Sequence, residues 1–293
     1  MTLDAYLKAG CREVDAALRA ALPKASVAPG TLHEAMRYSV FAGGKRLRPI
    51  LCLAAAEACG GDRAAAMPLA CAVECIHTYS LIHDDLPCMD DDDFRRGKPS
   101  NHKAYGEAVA VLAGDALLTL AFELAAGAEA SKRYATAEMV SELALAAGSR
   151  RLIAGQVLDI EGEGGGLSRA ALKKIHENKT AALIVACARL GGMSAGATAG
   201  RLEALGDFAY SLGLAFQVID DILDVTQTSE VLGKSAGKDA AVDKATYPAI
   251  YGLDGARKEA ARLTKRADAA LRPFGKRGAR LGEIAHYLLD REY

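Results

Sequence analysis

Apolar residues recur every three or four positions through most windows of the chain, the spacing that lines one face of a helix. Ala and Leu are abundant, aromatics make up 5% of residues and Trp is absent, which favours helix over strand. Thr31 and Glu34 form a capping-box pattern that predicts a helix through about Phe41, closed by Gly43 and Gly44. Pro49 suits the first turn of the next helix, which runs to about Gly60 and Gly61. Further helices are expected over 65–86, 107–127, 132–161, 168–190, 199–226 and 246–271, with a last one near 277–290. The Gly-rich breaks at 162–166 and 191–200 read as turns between helices and not as domain linkers. There is no strand series, low-complexity segment or short repeat. The expectation is an all-α bundle in which residues 1–293 form a single domain.

Composition adds size and compartment. Of 293 residues, 51% are hydrophobic, enough for a large core. A net charge of −1 predicts no general attraction to nucleic acid or to a membrane surface. The seven Cys are scattered, and Cys71 with Cys75 lacks the second pair or His of a zinc site, so buried free thiols are expected. The acidic, amphipathic N-terminus lacks the basic-then-apolar layout of a secretory leader. No uninterrupted apolar run reaches the ~18–20 residues that cross a bilayer. These features predict a soluble, cytoplasmic protein without stable membrane insertion.

Charge is informative where it is concentrated. In segment 212–224, Gln217, Asp220, Asp221 and Asp224 fall at i, i+3, i+4 and i+7 and share one helix face. The rest of that helix is apolar, so the stripe is expected to face an internal cavity. A solvated acidic face is the alternative, but no Lys or Arg lies between Leu212 and Gln227. Segment 83–93 carries six further Asp, of which Asp84 continues a stripe with His77 and Ser80. Pro87 must end or kink this helix, and the break would let Asp90 swing back beside Asp84. A calcium loop would need acids at alternate positions, a central Gly and a closing Glu, an order this segment lacks. Clustered carboxylates without His or Cys call for magnesium or manganese, and magnesium bridges carboxylates to phosphates.

Cations supply the complement. Residues 43–49 carry Lys45, Arg46 and Arg48 into a helix N-terminus, where an anion is favoured, although taken alone the segment reads as a solvated basic turn. Arg95 and Arg96 follow the first Asp run, Lys179 lies on a later helix, and Lys234 and Lys238 follow the second. Acids, cations and an apolar bundle together describe a pocket for an apolar molecule with a diphosphate head.

The segments GGKRLRP (43–49), SLIHDDLPCMDDDDFRRGKPSNH (80–102), AGDALLTLAFE (113–123), ENKTAAL (177–183), FQVIDDILDVT (216–226), GKSAGKDA (233–240) and KATYPA (244–249) resemble the trans-isoprenyl diphosphate synthase family, in its bacterial farnesyl diphosphate synthase branch. They occur in family order across most of the chain. The resemblance implies the isoprenoid synthase fold, an antiparallel helical bundle around a deep central cavity, usually homodimeric. It implies magnesium (about three ions, manganese possible) on Asp84 and Asp90 with Asp85 beside them, and on Asp220 with Asp221 and Asp224 nearby. It places the allylic diphosphate on Arg95, Lys179 and Lys234, and isopentenyl diphosphate on Lys45, Arg48, His77 and Arg96. Lys179, Thr180 and Gln217 would line the reaction centre. Without the family, His77 reads as a satisfied core histidine. The implied chemistry is ionisation of the allylic diphosphate, condensation and proton elimination. Tyr79 and Ser80, with the Pro87-Cys88 insertion, resemble the chain-length floor of enzymes that stop at C15. The expected product is therefore farnesyl diphosphate, with geranylgeranyl diphosphate the alternative. The C-terminus lacks the basic run with which some relatives close the site, so closure by the tail is not expected. A class I terpene cyclase would lack a second diphosphate site, and a non-catalytic subunit would lack intact Asp motifs.

Overall fold

A computed structural model describes residues 1–162, 166–226 and 246–289. Helix starts are set by caps. Thr2 Oγ1 accepts from the Ala5 amide (3.3 Å) and opens α1, Leu3–Ala21. Asp62 accepts from the Ala64 amide (3.1 Å) and opens α4, Arg63–Asp84. Between them lie α2, Gly30–Val40, and α3, Leu47–Ala58. The expected Thr31 capping box does not form. Extended Pro29 is the N-cap, so the helix begins at Gly30 and Thr31 lies inside its first turn.

After α4 the chain makes a two-residue antiparallel ribbon, β1 Phe94–Arg95 with β2 Lys98–Pro99. Then come α5 (Asn101–Tyr105), α6 (Glu107–Ala126), α7 (Thr136–Ala147), α8 (Leu152–Glu161) and α9 (Arg169–Ile175). A π-helical turn, His176–Ala181, joins α9 to α10, Ala182–Ser194. The series continues with α11 (Ala199–Thr226), α12 (Tyr247–Ala270), a 3-10 turn (Arg272–Gly278) and α13 (Ala279–Leu289).

Two expectations are corrected. The single helix over 132–161 is two, because Gly148 turns to extended backbone (ψ −172°) and Arg151 leaves the helical region. The break expected from residue 191 comes only after Ser194. Gly191 is helical, and a Cβ there would sit 2.0 Å from the Cys52 carbonyl oxygen on α3. This glycine lets α10 approach α3; it does not end α10.

Among the described residues the bundle is all-α apart from the ribbon. α4 packs between α3 and α6, α10 between α3 and α11, and α12 lies along α11. Leu18, Ile50, Leu69, Ile76, Leu117 and Phe208 are fully buried in one continuous core, each contributing about 1.5–3 kcal/mol of transfer free energy. Cys52, Cys71, Cys75 and Cys187 are buried free thiols, as expected. Arg63–Asp84 and Glu107–Ala126 are long and apolar enough to cross a membrane by length and composition, but here they pack against each other.

Candidate active site

The first acidic motif closes as its proline suggests. α4 ends at Asp84, and the loop returns so that the Asp90 amide donates to the Asp84 carbonyl (2.9 Å) and the Asp92 amide to that of Asp85 (3.2 Å). The Asp84 carboxyl is pushed up to about 6, first by burial; Lys179 opposes this and neighbouring Asp90 adds to it. Asp85 is buried and ion-paired with Arg95, whose Nε donates at 2.9 Å. Asp91, Asp93 and His102 also bring donor atoms within 4.8 Å of one another, but Asp93 is paired with Lys103 (2.8 Å) and His102 Nδ1 with Ser100 (3.1 Å).

The second motif lies on α11, with Asp220 half-buried and Asp221 and Asp224 buried. Asp221 accepts from Gln217 Nε2 (3.2 Å) and from the Tyr247 amide (2.9 Å), tying α11 to the start of α12. His176 Nε2 is 3.8 Å from the same carboxylate, and its ring stacks on Tyr247.

Lys179 and Thr180 stand on the π turn, a distortion that widens the helix by one residue. A Cβ at Gly155 of α8 would lie 2.2 Å from the Lys179 amide nitrogen, so only glycine permits this approach. Thr180 Oγ1 donates to Gln217 Oε1 (2.9 Å), which joins the π turn to the second motif. Lys179 Nζ pairs with Asp159 Oδ2 (2.6 Å). In the sequence the only signal for Asp159 is that it is a lone acid in the apolar stretch 152–160.

Arg48, Arg96 and His77 of the second group also converge, whereas the contact seen for Lys45 is with another helix. Arg48 Nη1 meets His77 Nε2 at 3.2 Å. A guanidinium only donates, so Nε2 accepts and the imidazole is neutral, leaving Nδ1–H as its donor. Burial first, then Arg48 and Arg96, hold His77 well below its ordinary value. Arg96 donates to the Gly43 carbonyl, and the Lys45 ammonium lies 5.1 Å from the ring of Tyr287 on α13. Arg46 is different: it turns inward and is 4% exposed. Tyr79 is buried, edge-on to His83 at 5.7 Å, with its hydroxyl pushed up to about 12 by burial and by Asp84. Ser80 Oγ donates to the His77 carbonyl (3.0 Å). Lys234 lies outside the described residues.

The polyprenyl synthetase pattern matches residues 29–272. The chain belongs to that family. It is a prenyltransferase, a prenyl diphosphate synthase. It is similar to the heterodimeric geranylgeranyl pyrophosphate synthase large subunit 1, chloroplastic, of Arabidopsis thaliana (51% identical over 98% of this chain and 79% of the relative). It is also similar to the chloroplastic geranylgeranyl pyrophosphate synthase of Capsicum annuum (53%; 90% and 72%). Among solved structures, an FPP/GFPP synthase of Zymomonas mobilis superposes with a TM-score of 0.88 at 36% identity, covering 98% of each chain. A geranyltransferase of Legionella pneumophila gives 0.87 at 31%, covering 99% and 98%.

These likenesses confirm the isoprenoid synthase fold of this prenyltransferase and correct two expectations. The curated relatives are geranylgeranyl pyrophosphate synthases, so the bacterial farnesyl branch is not specifically supported. They are also chloroplastic, which overturns the cytoplasmic expectation. Testing the N-terminus against a secretory leader examines one destination only, and organelle targeting uses a different composition.

Proposed function

We propose that this prenyltransferase joins isopentenyl diphosphate to allylic diphosphates, as one domain, and releases geranylgeranyl diphosphate. The observation that carries the two-substrate reading is a second set of cationic and polar groups next to the first: Lys179 and Arg95 act on the Asp84 carboxyl, while Arg48 meets His77 and Arg96 meets the Gly43 carbonyl of the 43–48 loop. A cyclase has no use for the second. The C20 length is supported by the curated relatives at 51% and 53% identity.

The first motif suits a hard divalent cation: Asp84 and Asp90 are oxygen donors brought side by side, and burial makes the Asp84 charge costly until a cation offsets it. Asp84, Asp90 and Asp220 would hold magnesium, with Asp85 and Asp224 close by. Bound magnesium supplies charge neutralisation for the departing diphosphate. The protein does the rest. Arg95 and Lys179 stabilise the negative charge that builds on the leaving group, and Lys179 is held ready by Asp159. Lys45, Arg48 and Arg96 hold the isopentenyl diphosphate so that its double bond meets the allylic carbon. Thr180 and Gln217, locked to each other, line that point. The buried bundle excludes water, which would trap the cation as an alcohol. The proton leaves to the released diphosphate.

A second reading, termination at C15, is favoured by Tyr79, whose buried ring lies on α4 below Asp84. Mass spectrometry of products from isopentenyl diphosphate with each of the C5, C10 and C15 allylic partners separates the two. Use of the C15 partner with C20 product supports the proposal; accumulation of C15 product and refusal of the C15 partner selects the second reading. Hydrocarbon formed without isopentenyl diphosphate would make it a cyclase. Substrate binding without turnover would make it a non-catalytic subunit. A homodimer is the assembly expected from the family resemblance. Light scattering of the purified chain tests it, since two relatives are named as heterodimer subunits.

A further inference from the structure

Arg46 lies between two residues assigned to isopentenyl diphosphate, yet its side chain points the other way. Its backbone is left-handed (φ 49°, ψ 36°), a conformation that few residues other than glycine adopt and that must be held by contacts. Three contacts hold it. Nε donates to Asp15 Oδ1 of α1 (2.8 Å), Nη1 to Glu74 Oε1 of α4 (2.7 Å), and Nη2 to the Val40 carbonyl at the end of α2. Every nitrogen of the guanidinium is used, and Arg46 and Glu74 side chains are each 3% exposed. A desolvated, fully paired ion pair tolerates little movement, because shifting either partner leaves a buried charge unmatched.

The geometry couples this anchor to the substrate loop. Glu74 and His77 are three residues apart on one face of α4. Glu74 grips Arg46 and His77 meets Arg48, so α4 fixes the loop at two points on either side of Leu47. Arg46 is buried while its neighbour Lys45 is exposed, with its ammonium 5.1 Å from the ring of Tyr287.

We infer that Glu74 and Asp15, acting through Arg46, are positioning residues for isopentenyl diphosphate. The inference rests on the reading above that Lys45 and Arg48 bind that diphosphate. Displacing a binding group by about 1 Å costs up to about 100-fold, whereas a residue that only stabilises the fold affects both substrates alike. The test measures both Michaelis constants and melting temperature for Glu74→Gln, Asp15→Asn and Lys45→Ala. Glu74→Gln keeps the shape of a fully buried group, and Asp15→Asn alters a partly exposed one and so keeps the test open if the first variant fails to fold. The expected result is an isopentenyl diphosphate KM raised about 10-fold in at least the folded variants of the anchor, with the allylic KM within about twofold of wild type. A lowered melting temperature with both KM values unchanged, or raised together, overturns the inference while a Lys45→Ala effect on isopentenyl diphosphate leaves the underlying reading intact. If Lys45→Ala also leaves that KM unchanged, the loop is not the diphosphate site and both fall.

Discussion

Asp84 offers a test that does not depend on turnover. In the metal-free protein its carboxyl is raised from 3.8 to about 6, because burial and Asp90 outweigh Lys179 and Arg95. The folded state therefore holds this proton more tightly than the unfolded chain. Its contribution is fully present below pH 3.8, is lost as pH rises toward 6, and stays lost above that. At 1.36 kcal/mol per unit, the ionised side chain costs the metal-free fold about 3 kcal/mol at pH 8. Asp84→Asn removes that charge without changing shape. In excess chelator it should melt about 5 °C above wild type at pH 8 and level with it at pH 4. In magnesium the order should reverse, since the wild type alone gains the cation's full binding free energy. Thermal melts at several pH values, with and without metal, measure all of this. A difference that does not change with pH, or a metal-free wild type more stable than Asp84→Asn at pH 8, would refute the reasoning.

Other outcomes follow from the same geometry. Asp84→Asn and Asp220→Ala should each lower turnover by at least about 100-fold with the fold retained, checked by steady-state rates and circular dichroism. Gly155→Ala drives a methyl into the Lys179 backbone (2.2 Å) and should cost about 1–3 kcal/mol while weakening allylic substrate use, read as melting temperature and allylic KM. Tyr79→Ala removes the buried ring below Asp84 and should lengthen the product by one or more C5 units in mass spectrometry; an unchanged distribution excludes Tyr79 as the floor. Asp159→Asn should leave melting within a few degrees but raise the allylic KM, because Lys179 loses its 2.6 Å partner.

The sequence by itself determined the helical class, most helix positions and the two acidic faces. These are local properties: a 3.6-residue period places Gln217, Asp220, Asp221 and Asp224 on one side of α11 wherever that helix packs. Pro87 likewise required a break after Asp84, and the return of Asp90 followed. Tertiary structure decided what each side chain meets. Periodicity offers Lys45, Arg46 and Arg48 as three equal cations, but Glu74, 28 residues away, takes one of them out of the site. Asp159 is a lone acid until the π turn brings Lys179 against α8. Gly148 and Gly191 are identical in sequence terms, yet one ends a helix and the other admits a neighbouring backbone. Local pattern fixes which face a residue is on; the partner across the interface belongs to another helix, and its identity is set only when the helices pack.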